Sequence, residues 1–318
     1  MKIKAVATLV AGILASPAYA QVELPKPEFY GVVQGQLSWE EGYDFQTQLQ
    51  EALVGLQGII PAEHFRMRYK LAAEYSETNP NPKEQGEIIV SEANLLFMSK
   101  QLGGLYVGQG TTGSWQDLYS KVDIFNSTNM KRAGGNDSLF RQGYYGTNIL
   151  AYATPRFHNF SFKVAAMSPN ETNGADVDVL GLRALYNTKN FSLVLNRAEM
   201  DEKQISTGYT RWALASSYQM GSAYLAGLVE YNEKDPQGDS WVYAVSGKYT
   251  ADKMSYRLGA QTKQWEDDAK NVSKEDETLL LANVSYQFHP NASLYAEVAE
   301  YLEDSQNDKI NLGLVAHF

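Results

Sequence analysis

The sequence predicts an all-β protein, a transmembrane antiparallel up-and-down β-barrel of sixteen strands. Three observations predict this fold class. The chain opens with a secretory signal peptide, and its remaining length alternates apolar and polar residues with a period of two. Short turns also alternate with long polar loops, as strands require when they run back and forth across a membrane.

The signal peptide is predicted over residues 1–20. Lys2 and Lys4 form a basic start, an apolar run follows from Ala5 to Ala15, and small residues around Ala20 supply a cleavage site. Cleavage before Gln21 removes two lysines and no acids, which takes the formal charge from −10 to −12. We expect residues 21–318 to form a single barrel domain.

Bulk composition excludes several classes of protein. There is no cysteine, so lipid-anchored lipoproteins, disulfide scaffolds and thiolate metal sites are excluded. No stretch after the signal peptide approaches the roughly 18 apolar residues that a membrane helix needs. The acidic balance argues against nucleic acid as a partner, since a basic patch would be expected for it.

The last stretch, Lys309 to Phe318, is the clearest strand. Every second residue from Ile310 onward is apolar, while the other register holds the small or polar residues Asn311, Gly313 and His317 together with Val315. Aromatic residues favour the membrane–water boundary, so a strand that ends on Phe318 suits a barrel in a bilayer. We expect this strand to close the barrel against the first one.

The remaining strands follow from turn and loop signals. The first five are predicted at 28–39, 50–59, 65–75, 88–100 and 105–110. Short turns are predicted at 61–64, 102–104, 156–159, 189–190, 220–222, 251–253 and 289–291. Long, mostly acidic loops are predicted near 41–48, 78–87, 111–140, 169–176, 199–208, 232–239, 265–277 and 302–308. An even strand number returns both termini to the same rim.

The strand faces and strand ends agree with a barrel in a bilayer. In the third strand, apolar Phe65, Met67, Tyr69 and Leu71 alternate with a basic row, Arg66, Arg68 and Lys70. Aromatic residues fall near strand ends, at Phe65, Phe157, Phe160, Phe288 and Phe318 on the short-turn rim and at Trp39, Tyr75, Trp241, Trp265 and Tyr301 on the loop rim. Periodicity alone leaves a soluble β-sandwich open as an alternative.

Short motifs follow one another in a consistent order along the chain: Glu28–Gly31, Leu53–Gly58, Leu105–Gly110, Asn148–Pro155 and the terminal Phe318. Together they resemble the Gram-negative general diffusion porins, which are sixteen-stranded outer-membrane trimers. Gln109 and Ala151 stand where the family usually has basic residues, so the pore wall is expected to be less basic there.

The resemblance implies a homotrimer in the bacterial outer membrane, with the third long loop, about 111–140, folded inward as a constriction. Outer-membrane lipid and lipopolysaccharide are implied partners, as is the barrel-assembly machinery through the strand that ends in Phe318. The loop residues expected at the constriction are Asp117, Lys121, Asp123, Lys131, Arg132 and Asp137. An outward-lying surface loop is the alternative.

The opposite side of the constriction is expected to be basic. Its candidates are Arg66, Arg68 and Lys70, with Arg257 and Lys263 as additions. These bases could instead pair across neighbouring strands with Glu74, Glu92 or Glu297. The charge of the outer loops predicts a mild cation preference, which the basic row opposes.

No catalytic, cofactor or metal site is predicted. The four histidines fall in short turns or next to the C-terminus and show no metal-ligand spacing. The predicted function is passive diffusion of small hydrophilic solutes and ions through a water-filled channel. A channel for sugars or organic acids, with Tyr30, Tyr295 and Tyr301 along the lumen, and an outer-membrane hydrolase are the alternatives.

Overall fold

The computed structural model describes residues 26–79, 84–128, 139–140, 142–170, 174–204, 208–266, 276–302 and 307–318. The signal peptide predicted over residues 1–20 lies outside them. Sixteen strands form the barrel: β1 (Glu28–Glu40), β2 (Gln46–Pro61), β3 (Arg66–Tyr75), β4 (Ile88–Ser99), β5 (Gly103–Thr111), β6 (Tyr145–Ala153), β7 (Phe160–Met167), β8 (Val179–Asn187), β9 (Phe191–Met200), β10 (Thr210–Met220), β11 (Ala223–Glu233), β12 (Ser240–Ala251), β13 (Met254–Trp265), β14 (Glu277–His289), β15 (Ala292–Tyr301) and β16 (Lys309–His317).

The only helical elements in the described part of the chain lie in the third long loop. A π-helical turn, Trp115–Tyr119, continues into a three-residue α-helix, Ser120–Val122. No helix among the described residues has the length and apolar character needed to cross a membrane.

Each strand pairs antiparallel with its sequence neighbours, and β16 pairs with β1 to close the barrel. Leu37 lies opposite Leu312 in that seam. Beyond it, the Gly31 amide donates to the Phe318 carbonyl at 2.8 Å and the Phe318 amide donates to the Gly31 carbonyl at 3.1 Å. The predicted strand number and closure are therefore confirmed.

The short and long connections lie on opposite rims, as the sequence predicts. The shortest turns contain two residues, and Gly221 and Asp252 adopt positive φ angles of 57° and 52° there. Strand boundaries differ by a few residues from the prediction. β2 begins at Gln46, because this residue pairs with Ser38 near the end of β1.

Side chains on the outer face of the barrel are apolar and exposed. Leu312 and Leu258 are 52% and 67% exposed, whereas Asn311, adjacent to Leu312, points inward and is fully buried. A soluble β-sandwich would bury its apolar face, so the closed barrel with an apolar exterior excludes that alternative. Exposed aromatic rings at both rims, such as Phe318 and Trp39, suit the two membrane interfaces.

Rings that cover glycines fill the barrel wall around the closing seam. An added Cβ on Gly313 would lie 2.2 Å from Cζ of Tyr295, and one on Gly31 would lie 2.3 Å from Cζ of Phe318. Two further pairs of the same kind lie on the β1 side of the seam, Tyr30 over Gly55 and Tyr69 over Gly58. These positions require glycine because a ring occupies the space above the backbone.

Candidate functional site

The described part of the third long loop folds into the barrel and covers an apolar area of the inner wall. Leu118, Tyr119 and Val122 are fully buried there. They pack with inward side chains of the wall: Leu185, Val194, Ala213, Ala215, Ala226, Leu228, Val242, Ala244, Leu279, Leu281 and Ala299. Full burial stabilises each large apolar side chain by about 1.5–3 kcal/mol, so this contact favours the inward position of the loop.

A charge cluster fixes the start of the loop to β7 and β8. Lys163 Nζ donates to both carboxylate oxygens of Asp117, at 2.8 and 2.9 Å, and Arg183 Nη1 lies 3.5 Å from Oδ2. The Asp117 side chain is only 14% exposed. Its carboxylate therefore anchors the loop to the wall.

The middle of the loop is held by a buried polar network. The Tyr119 hydroxyl donates to Glu230, and Arg211 Nε lies 3.9 Å from the same carboxylate. Arg211 Nη2 also donates to Oε1 of Gln142, at 2.6 Å, near the end of the loop. Because buried charges are costly when unpaired, these residues hold the loop in one position.

The far end of the described loop is bound to β13, β15 and β2. Glu297 accepts hydrogen bonds from the backbone amides of Asn126 at 2.8 Å and Ser127 at 3.0 Å. Arg257 Nη1 donates to Oδ1 of Asn126 at 2.6 Å, and the amide of Thr128 donates to Oε1 of Gln50 at 2.7 Å. The loop thus follows the inner wall from β7 through β16 and β1 to β2.

The inner wall that these contacts leave uncovered belongs to β3–β6. Arg66, Arg68 and Lys70 lie there on one inward face, as the alternation predicts. Lys70 Nζ lies 3.3 Å from Oε1 of Glu92 and 5.3 Å from the centre of the Tyr30 ring. Lys70 is therefore paired across neighbouring strands, the alternative considered for these bases.

The other predicted site residues fall into three groups. Asp117 and Arg257 hold the loop against the wall. Lys121 and Asp123 are half-buried on the loop, and burial lowers the pKa of the Lys121 ammonium. Lys131, Arg132 and Asp137 lie outside the described residues.

The prediction omitted most of the wall residues that hold the loop. The charged residues among them are Lys163, Arg183, Arg211, Glu230 and Glu297, which was considered only as a partner of the basic wall residues. Strand parity could have placed each of them on the inner face. No local sequence pattern indicates which loop residue each of them contacts.

Two of the three tyrosines proposed for a sugar-binding lumen surface are engaged elsewhere. Tyr295 is buried and its hydroxyl donates to Oε1 of Gln36 at 2.8 Å, while Tyr301 packs against the apolar cluster beneath the loop. The histidines His64, His158, His289 and His317 are all exposed at the short-turn rim. In the described part of the chain, no group of three or more acids and histidines is placed to hold a metal ion.

The family follows from comparison with known proteins. A family model described as Gram-negative porin matches residues 5–306. The chain belongs to this porin family. It is therefore a passive diffusion channel of the bacterial outer membrane, as the motifs predict. No curated protein matches this porin.

Several solved structures share the fold of this porin at low sequence identity. Salmonella typhi OmpF, in complex with daunomycin, superposes with a TM-score of 0.75 at 15% identity, covering 92% of this chain and 98% of that one. An anion-selective porin from Comamonas acidovorans gives 0.74 at 15% identity, covering 92% and 99%. The trimer form of Vibrio cholerae OmpT gives 0.73 at 15% identity, with the same coverage.

Proposed function

We propose that solutes pass between the inward loop and the uncovered wall of β3–β6, and that this gap limits their size. The observation that supports it is the path of the loop. Among the described residues, the hydrogen bonds, ion pairs and packing of 113–128 reach every strand from β7 to β16, then β1 and β2. None of these contacts reaches β3–β6, which supports a water-filled sector on that side of the lumen.

The exposed surface of the loop supplies a direct test, because the chain contains no cysteine. Ser120 is exposed on the loop, whereas Leu258 is exposed on the outer face of β13. In planar bilayers, a bulky water-soluble thiol reagent should lower the single-channel conductance of Ser120→Cys. The matched variant Leu258→Cys should keep its conductance, since lipid shields that position.

The result distinguishes a loop that narrows the solute path from a loop that lies outward on the surface. An unchanged conductance after complete labelling of Ser120→Cys, verified by mass, would place the loop away from the solute path. The absence of any channel in KCl from the folded protein would contradict channel function itself.

We further propose that the chain assembles as a homotrimer. The supporting observation is the fold that it shares with the trimer form of Vibrio cholerae OmpT. Native mass spectrometry in detergent tests the trimer, and a monomer at all detergent concentrations would refute it.

Three further predictions concern partners and ion selectivity: binding of lipopolysaccharide, binding of the barrel-assembly machinery, and the mild cation preference. A reversal potential of the anion-selective sign under a KCl gradient would contradict that preference.

A further inference from the structure

One lateral row of the uncovered wall combines a guanidinium with apolar side chains. Arg68 lies directly opposite Ile59 on β2 and Leu96 on β4, and Leu96 lies opposite Tyr106 on β5. Ala151 on β6 continues the row. Directly opposed residues share one face of a sheet, so all five side chains face the lumen.

The apolar members of this row are unusual for a water-filled passage. Ile59 is 43% exposed on the inner wall, and Leu96 is half-buried. Exposed apolar area facing water is unfavourable by about 25 cal/mol per Å². Contact with an apolar part of a passing solute would remove some of that area from water.

Arg68 is the cation of the row and is not neutralised by a carboxylate of the described residues. None of the ion pairs between them includes Arg68. The nearby acid, Glu92, is occupied by Lys70 at 3.3 Å, by Nδ2 of Asn94 at 2.5 Å and by Oγ1 of Thr111 at 3.1 Å. Glu92 therefore has little remaining capacity to accept a bond from Arg68.

Two donors of the row also lack a protein acceptor. The Nε of Arg68 and the hydroxyl of Tyr106 are shielded from solvent, and neither has a hydrogen-bond partner among the described residues. Because neither donor is held by a protein acceptor and both side chains are partly exposed, a small rotation can present them to an acceptor that a solute carries. A carboxylate offers several acceptor sites and matches the planar fork of a guanidinium.

We propose that Arg68 and Tyr106, flanked by Ile59 and Leu96, form a subsite for small carboxylates that carry an apolar body. Benzoate is a suitable probe of this class. The carboxylate receives charge-assisted hydrogen bonds from Arg68, while the ring covers the apolar side chains. The inference rests on the proposed solute path and adds the class of solute that is retained along it.

This local site differs from the long-range effect of the acidic outer loops. Salt screens interactions between exposed charges beyond about 8–10 Å, whereas a solute in contact with Arg68 is screened much less. A bulk cation preference and a local carboxylate subsite therefore predict different measurements. The first determines the reversal potential in KCl, and the second determines a saturable block by one solute class.

The experiment measures block of the KCl current through single channels by benzoate, benzamide and acetate. Benzamide keeps the ring without the charge, and acetate keeps the carboxylate without the ring. Benzoate should block saturably, and the other two should need at least about tenfold higher concentrations, since each lacks one of the two interactions. Equal block by benzoate and acetate would overturn the apolar part of the proposal.

Variants assign the block to the subsite. Arg68→Gln should raise the half-blocking concentration of benzoate by about tenfold or more, since it removes a charged hydrogen-bond donor. Tyr106→Phe, which removes only a hydroxyl, should raise it several-fold. Arg66→Gln is the matched control. It removes the same charge from the same strand face, but the cross-strand neighbours of Arg66 are Pro61 and Met98 rather than Ile59 and Leu96.

The outcomes separate this proposal from channel function. An unchanged half-blocking concentration in Arg68→Gln, or an equal increase in Arg66→Gln, would overturn the subsite while KCl conductance remains. Each variant is first shown to form open channels in KCl. Loss of channels from the unmodified protein would instead contradict the proposed solute path.

Discussion

Replacement of Glu297 by glutamine should release the far end of the inward loop. Glu297 is 1% exposed and accepts the amides of Asn126 and Ser127 at 2.8 and 3.0 Å, together with Nδ2 of Asn283 at 2.8 Å. Glutamine has nearly the same shape but keeps one acceptor oxygen. Its amide group then faces a backbone N–H that can no longer be paired.

The magnitude follows from the lost bonds. A hydrogen bond to a charged group contributes about 1.5–3 kcal/mol, and the substitution removes one such bond and weakens the others. We expect the free energy needed to detach this segment from the wall to fall by about 2–4 kcal/mol, which includes the cost of the amide left unpaired. The population of the detached state then rises roughly 30- to 700-fold.

Single-channel recording measures this effect as larger fluctuations of the open-channel current. The matched control is Glu300→Gln, which makes the same change on the same strand at an exposed, outward position. A heat-dependent shift in gel mobility verifies that each variant forms a folded barrel. Wild-type fluctuations in folded Glu297→Gln, or equal fluctuations in Glu300→Gln, would refute the anchoring role.

Two further predictions concern the barrel wall and the charge cluster of the loop. Gly313→Ala should lower the stability of the barrel to denaturant in detergent by about 1–3 kcal/mol, because the new methyl group overlaps the buried ring of Tyr295. Gly227→Ala is the control, since its Cβ would meet nothing closer than 3.7 Å, and equal losses would contradict the argument. Asp117→Asn should shift the reversal potential in a KCl gradient toward anions and Lys163→Gln toward cations, because the two changes leave opposite excess charge. Shifts of the same sign would show that this cluster does not act on the permeating ions.

The strands could be predicted because their signal is local. In a strand, successive side chains point to opposite faces, so the apolar set at Ile310, Leu312 and Leu314 determines which face meets lipid. The same rule correctly places Arg66, Arg68 and Lys70 on the inner face of β3. It gave a late start for β2, where pairing with β1 extends the strand.

The rule that inward positions are polar fails under the loop. Ala213, Ala215 and Leu228 point inward, but Leu118 and Val122 of the loop cover them, so these positions are dry. An alternating strand looks the same in sequence whether its inner face meets water or a loop. Only contact with a distant segment distinguishes the two environments.

The roles of the charged residues depend on the same long-range contacts. Lys163 meets Asp117 across 46 residues of sequence, and Arg257 meets Asn126 across 131. Neither partner could be chosen from spacing, because the separation reflects the path of the loop around the wall. Arg68 and Arg257 therefore look alike in sequence, although Arg68 lies on the wall that the described loop residues leave uncovered and Arg257 lies under the loop.

Local patterns were enough to predict the barrel, the direction of each strand face and the closing strand, since a two-residue period and turn chemistry act over a few neighbouring residues. Which inward side chains are covered by the loop, and which are not, follows only from the folded chain. That choice depends on where the third loop packs, and its position results from apolar burial and buried ion pairs between segments far apart in the chain.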